Sequence, residues 1–233
     1  MFWLWTLEIT TADIPSNLLG DGNPFPREWQ TILMDKFYSQ IAEDGLAKYS
    51  RNKRSRDYCR WKGVRCTSVK PRLVTKVTYL TKHFGNMDVH SLPPTVEHIS
   101  ITHCMQRYAL HTRSLPRALQ LCHLNNNLLF GSLDLQTLPE NLVDLNLSYN
   151  QLSGPIDLTH LPQNLEELYL ARNLITQSVA FVGRLPRTLT SIRLTVVTNP
   201  TNHIGKLRVL HPESLDRVSE LFLNFPTKKI RCV

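Results

Sequence analysis

The chain has 233 residues, 42% of them hydrophobic and 20% charged, a balance that supports a folded domain with a small appendage. It excludes a mainly disordered or collagen-like chain. The formal net charge is +8, yet Lys48, Arg51, Lys53, Arg54, Arg56, Arg60, Lys62 and Arg65 face only Asp57 in one stretch, so the remainder is close to neutral.

Residues 1–25 read as an N-terminal segment, at most the remnant of a signal region. Residues 1–7 are apolar but short, lack a basic start and run into Glu8 and Asp13, which makes a poor signal peptide. No apolar run approaches the roughly 20 residues of a membrane-spanning helix, so no span is expected. Residues 26–49 predict a helix, with Pro26 near its first turn and Trp29, Leu33, Phe37 and Ile41 as an apolar stripe. The basic stretch 48–65 follows. A solvated loop is its plainer reading, because nucleic-acid-binding domains usually spread their cations over a whole face; polyanion or nucleic-acid binding stays open as an alternative. Within it, Cys59-Arg-Trp-Lys-Gly-Val-Arg-Cys66 holds two of five cysteines, so at least one thiol has no partner in the chain. Only two cysteines lie together and no His stands at ligand spacing, so no metal and no cofactor is expected.

Beyond residue 70 the sequence repeats. Leu-Pro recurs at Leu92-Pro93, Leu115-Pro116, Leu138-Pro139, Leu161-Pro162 and Leu185-Pro186, in steps of 23, 23, 23 and 24. On that period Leu142, Leu145, Leu147 and Asn150 read L-x-x-L-x-L-x-x-N, matched by Leu119, Cys122, Leu124, Asn127 and by Leu165, Leu168, Leu170, Asn173. Degenerate copies stand at Val74, Val77, Tyr79, at Val96, Ile99, Ile101, Cys104 and at Leu189, Ile192, Leu194. A displaced copy at Val218, Leu221 and Leu223 follows a stretch where the period lengthens to 29.

Alternation of Leu145 and Leu147 with Asn146 and Ser148 predicts short strands, leucines inward, stacked about 4.8 Å apart as a parallel sheet. Asn127, Asn150 and Asn173 fall where a buried amide would satisfy turn backbone, with Cys104 in that place one repeat earlier. Val197 has no such group, so a kink or loop is expected near it. Asp88, Asp134 and Asp157 recur in register and read as turn caps or solvated acids. Cys104 and Cys122 are expected to be buried thiols.

Residues 74–225 thus resemble the leucine-rich repeat family, with protist-like 23-residue repeats. The C-x-W-x-G-V-x-C pattern at 59–66 resembles the N-terminal cap of plant-type members. The resemblance implies an α/β fold: a leucine-rich repeat solenoid, its curved parallel sheet on the concave face, with a helical, disulfide-type cap. It divides the chain into a cap at 26–69, about six to seven repeats at 70–226 and a tail at 227–233. It also implies that Cys59 pairs with Cys66, that Trp61 packs on the first coil, and that the preceding helix carries an aromatic residue, as Trp29 does here. A disulfide implies the secretory route, hence an extracellular or cell-surface protein; a cytoplasmic chain with reduced thiols is the alternative that the poor signal segment favours.

Outward residues of such a sheet are the candidate binding surface: His123, Asp144, Asn146, Tyr149, Glu167, Tyr169, Arg172 and Arg193, with Glu220 and Phe222 added by the displaced copy. Tyr and Arg are enriched in binding hot spots, and Asp144 with Glu167 makes an acidic pair one strand apart. The expected role is non-catalytic recognition of a protein or peptide; an intracellular adaptor or enzyme inhibitor is the alternative. His98, His103 and His123 precede Asp144 on neighbouring strands, but they fall in different columns and no nucleophile adjoins a base. No phosphate-binding loop, G-x-S-x-G or H-E-x-x-H occurs, so an enzyme is not expected. Asn146-Leu-Ser148 is a glycosylation sequon placed mid-sheet, where a glycan would block the surface.

Overall fold

The computed structural model describes residues 27–50, 55–196 and 201–233. Pro26, Val197 with its expected kink, and Arg51, Lys53 and Arg54 of the basic stretch lie outside the described residues.

Helix α1 (Arg27–Phe37) buries Gln30, Leu33, Met34 and Phe37, and the chain just beyond buries Tyr38 and Ile41. Those three- and four-residue steps define one helical face. Trp29 lies off it and is 39% exposed, so the expected stripe was displaced by one position: buried Gln30 takes the place next to it. Gln30 accepts from Val74 N–H at 2.7 Å and donates to the Arg72 carbonyl at 3.1 Å, tying the helix to the first repeat strand. A single helix over 26–49 is also corrected. Strand β1 (Gln40–Ile41) interrupts it before helix α2 (Glu43–Tyr49), because pairing with a distant strand and burial of Ile41 outweigh continued helix.

A 3₁₀ turn at Tyr58–Arg60 leads into β2 (Val64–Cys66) and β3 (Val74–Leu80). Cys59 and Cys66 are joined by a disulfide, and half-buried Trp61 packs its ring 4.7 Å from Tyr38 and 4.6 Å from Tyr58. Strand β4 (Gly85–Asn86) is the partner of β1, antiparallel. Two series of strands then alternate: β5 (His98–Thr102), β6 (Leu121–His123), β7 (Phe130–Ser132), β8 (Asp144–Asn146), β9 (Gln151–Gly154), β10 (Glu167–Tyr169), β11 (Leu174–Val182), β12 (Ser191–Arg193) and β13 (His203–Val209). Helix α3 (Leu215–Leu221) and β14 (Ile230–Cys232) close the chain.

The first sheet has the order β12-β10-β8-β6-β5-β3-β2, parallel from β3 to β12, with β2 laid antiparallel along one edge. Val77, Ile99, Cys122, Leu145, Leu168 and Ile192 stand in register and are fully buried, the inward row the repeat predicts. Burying a leucine side chain stabilises by about 1.5–3 kcal/mol, so this row and its flanking leucines form a continuous core. Each Leu-Pro pair places a buried leucine before a tight turn; the residue three beyond each proline donates its N–H back to the proline carbonyl, as from Leu142 to Pro139.

A second parallel sheet, ordered β14-β13-β11-β9-β7, runs along the opposite side and was not foreseen from sequence. Gly131 and Gly154, at φ +87° and +77°, stand within two of its strands, β7 and β9. Residues 227–233, read as a tail, contribute β14 to it.

Buried amides connect the coils. Asn127, Asn150 and Asn173 each donate to a carbonyl of their own coil and one of the preceding coil. Asn202, 29 residues after Asn173, supplies the next rung: it donates to Leu170 and Leu194 carbonyls and accepts from Ile175 N–H. Cys104 fills the earlier place weakly through Sγ contacts with Thr102 and Tyr79 carbonyls. The displaced copy at Val218 and Leu221 forms α3 instead of a strand, since a three-residue spacing of apolar side chains suits a helix. Phe222 bridges Ile192 and is buried, and Leu223 N–H donates to the Ile192 carbonyl; Glu220 lies on the helix, so neither Glu220 nor Phe222 joins the open face. Among the described residues no helix is long and apolar enough to cross a membrane.

Candidate binding surface

Side chains alternate along a strand, so the residues flanking the buried row face outward in columns. One column holds His98, Leu121, Asp144, Glu167 and Ser191; the other holds Ser100, His123, Asn146, Tyr169 and Arg193. Six of the eight expected residues therefore share two adjoining columns. Tyr149 and Arg172 stand three residues past their strands, at the rim, in matching positions of successive coils.

Their contacts are specific. His123 Nε2 donates to Asp144 Oδ2 at 2.6 Å, a diagonal pairing of the two columns that register alone does not reveal. The Tyr169 hydroxyl lies 3.0 Å from Ser191 Oγ, and the Arg193 guanidinium stands 5.1 Å over the Tyr169 ring. Burial and the adjacent Glu167 raise the Tyr169 phenol above its ordinary value, against the opposing Ser191 hydrogen bond and Arg193 charge. Arg172 lies 5.9 Å over the Tyr149 ring, which is 51% exposed. Each cation–ring contact at an exposed site contributes about 0.5–1 kcal/mol.

The rim position is left-handed in coil after coil: His103, Asn126, Tyr149 and Arg172 have φ between +54° and +61°. Asn adopts this conformation readily, whereas other L-residues pay roughly 1–2 kcal/mol for it. Tyr149 and Arg172 thus occupy positions where Asn126 shows the less strained choice.

His98 and His123 fall in different columns, and among the described residues no group of three or more His, Cys, Asp or Glu side chains is arranged to hold a metal. Asp88, Asp134 and Asp157 each accept the backbone N–H two residues ahead, capping turns away from this face.

No protein-family model matches the sequence, and no curated protein matches it. Solved structures do. The crystal structure of a Pollen Receptor Kinase 3 matches 77% of this chain and 84% of its own at 22% identity, with a TM-score of 0.52. The leucine-rich repeat ectodomain of the receptor kinase SOBIR1 from Arabidopsis thaliana matches 78% of this chain and 96% of its own at 20% identity, with a TM-score of 0.51. The chain has the leucine-rich repeat fold. At these identities the likeness speaks for the leucine-rich repeat fold and leaves the ligand to the side chains of this chain.

Proposed function

We propose that the chain is a non-catalytic recognition module that binds a protein or peptide across the outward columns of its seven-stranded sheet. Tyr149, Tyr169, Arg172 and Arg193 are the centre, Asp144, Glu167 and Asn146 the polar surround, and His123 orients Asp144. The carrying observation is the pair of left-handed rim residues: a tyrosine and an arginine held against backbone preference, one ring under one guanidinium, half in solvent. The left-handed turn recurs in successive coils and belongs to the repeat; what is particular to these two coils is that an exposed aromatic ring and a cation, residue types enriched in binding hot spots, occupy it. The N-terminal unit is read as a plant-type cap over residues 26–69, with 70–226 as the repeats. The Cys59–Cys66 bridge supports an extracellular or cell-surface location by the secretory route.

The test is selection of peptides from a random displayed library against the intact chain, followed by affinity measurement on Tyr149→Ala and Tyr169→Ala. Loss of about 2 kcal/mol, roughly 30-fold, is expected for each. Selected peptides that bind both variants like the parent would overturn the assignment of this face.

A further inference from the structure

The N-terminal unit carries a second surface that the repeat sheet does not use. Two adjoining cavities of about 480 and 390 Å³ flank the segment around Cys59 and share Asp57, Cys59, Arg60 and Arg72 as walls. Their cations are Arg56, Arg60, Lys70 and Arg72, against the one carboxylate of Asp57. Arg60 pairs with Asp57 at 3.2 Å, and Arg56 reaches Asp35 at 3.6 Å from behind the groove, yet both arginine side chains remain about three-quarters exposed. Lys70 and Arg72 are exposed and, among the described residues, make no ion pair. Trp61 lines the larger cavity, its indole fixed by Nε1 donating to the Ser55 carbonyl at 3.1 Å. Arg56 and Arg60 of the basic stretch, joined by Lys70 and Arg72 from beyond it, thus give the groove around the bridge a net positive lining.

We propose that this groove binds an acidic polysaccharide. Guanidinium forks match carboxylate and sulfate oxygens in bidentate fashion, and half-buried Trp61 adds an apolar wall beside them. The choice of polyanion rests on the secretory reading of the Cys59–Cys66 bridge. A disulfide in the groove's wall persists in oxidising compartments, where acidic glycans rather than nucleic acids are the polyanions available.

Calorimetry on the intact, disulfide-bonded chain would use three probes of matched charge: an oligogalacturonate, a heparin-derived oligosaccharide and a single-stranded oligonucleotide. One or both glycans are expected to bind, identifying carboxylate or sulfate as the preferred group, with affinity falling as salt rises. Arg60→Ala with Arg72→Ala should weaken glycan binding about tenfold or more, whereas Arg187→Ala with Lys206→Ala, the same loss of charge elsewhere, should leave it unchanged. Tyr149→Ala and Tyr169→Ala should also leave it unchanged, which keeps this site separable from the sheet. The proposal fails if neither glycan binds, if both charge-loss pairs weaken binding alike, or if the oligonucleotide binds as tightly as the glycans.

Discussion

Replacing Asn150 by alanine removes one rung of the buried amide ladder, and the surrounding hydrogen bonds fix the cost. Asn150 Oδ1 accepts from Leu129 N–H at 3.0 Å, and its Nδ2 donates to the Leu124 and Leu147 carbonyls, each at 3.0 Å. Both carbonyls keep a second donor, Leu124 from Asn127 and Leu147 from Asn173, at 2.9 and 3.0 Å. Only Leu129 N–H is left buried without an acceptor. An orphaned buried donor costs about 1–3 kcal/mol, and two weakened acceptors add to it, so Asn150→Ala should destabilise by about 2–4 kcal/mol. Asn202→Ala should cost at least as much, because Leu194 carbonyl and Ile175 N–H both lose their amide partner. Urea unfolding followed by circular dichroism measures both, with coincidence of probes checked because repeat stacks can unfold in parts. Loss of less than about 0.5 kcal/mol at Asn150 would refute the accounting, since that is the scale of ordinary surface substitutions.

Three further outcomes are expected. Burial, with Asp144 nearby, pushes the Cys122 thiol up to about 12, and burial raises Cys104 despite opposing backbone hydrogen bonds, so under non-reducing conditions the folded chain should expose one fast-reacting thiol, Cys232. Mass mapping after brief alkylation checks this; rapid modification of Cys122 would contradict it. Burial raises the Asp88 carboxyl, but hydrogen bonds from His90 and Ser91 with the His90 charge outweigh it and hold the value below the usual carboxylate range. A depressed folded value means stability present above the unfolded carboxylate value and lost as pH falls through the folded one, so melting temperatures should drop below about pH 4, and less steeply in Asp88→Asn. Removing the bridge by Cys59→Ala with Cys66→Ala should cost about 2 kcal/mol for so short a loop, read as loss of thermal stability under oxidising conditions.

The periodic parts of the molecule were legible because every unit repeats the same physical demand. Leu145, Leu168 and their equivalents must fill one row, and Asn127, Asn150 and Asn173 must satisfy the same turn. Where a unit departs from the period, the reading failed for local reasons. Asn202 supplies its rung from beyond the lengthened unit, so a search at fixed spacing meets Val197 instead. Two strands of the second sheet, β7 and β9, are three and four residues long and each contains a glycine in left-handed conformation, which in isolation reads as a turn. Val218 and Leu221 fit helix and strand templates in part, and tertiary packing decided for the helix. Trp29 outranked its neighbour Gln30 on hydrophobicity, yet only a polar side chain could serve the Arg72 and Val74 backbone groups at that place. On the surface, the residue types were readable, whereas the His123–Asp144 contact and the left-handed backbone under Tyr149 and Arg172 required coordinates.

The bond from Asn202 Nδ2 to the Leu194 carbonyl, 2.7 Å long, joins residues eight positions apart and closes the hydrogen-bonded spine around everything between them. The ladder thus passes from Asn173 to Asn202 over 29 residues where the earlier rungs stand 23 apart, so a side chain's place in the spine is set by the carbonyls it reaches and not by its count along the chain. Arg193, which leans over Tyr169, lies one residue before the Leu194 carbonyl, so this bond ties the end of the proposed contact face directly to the spine.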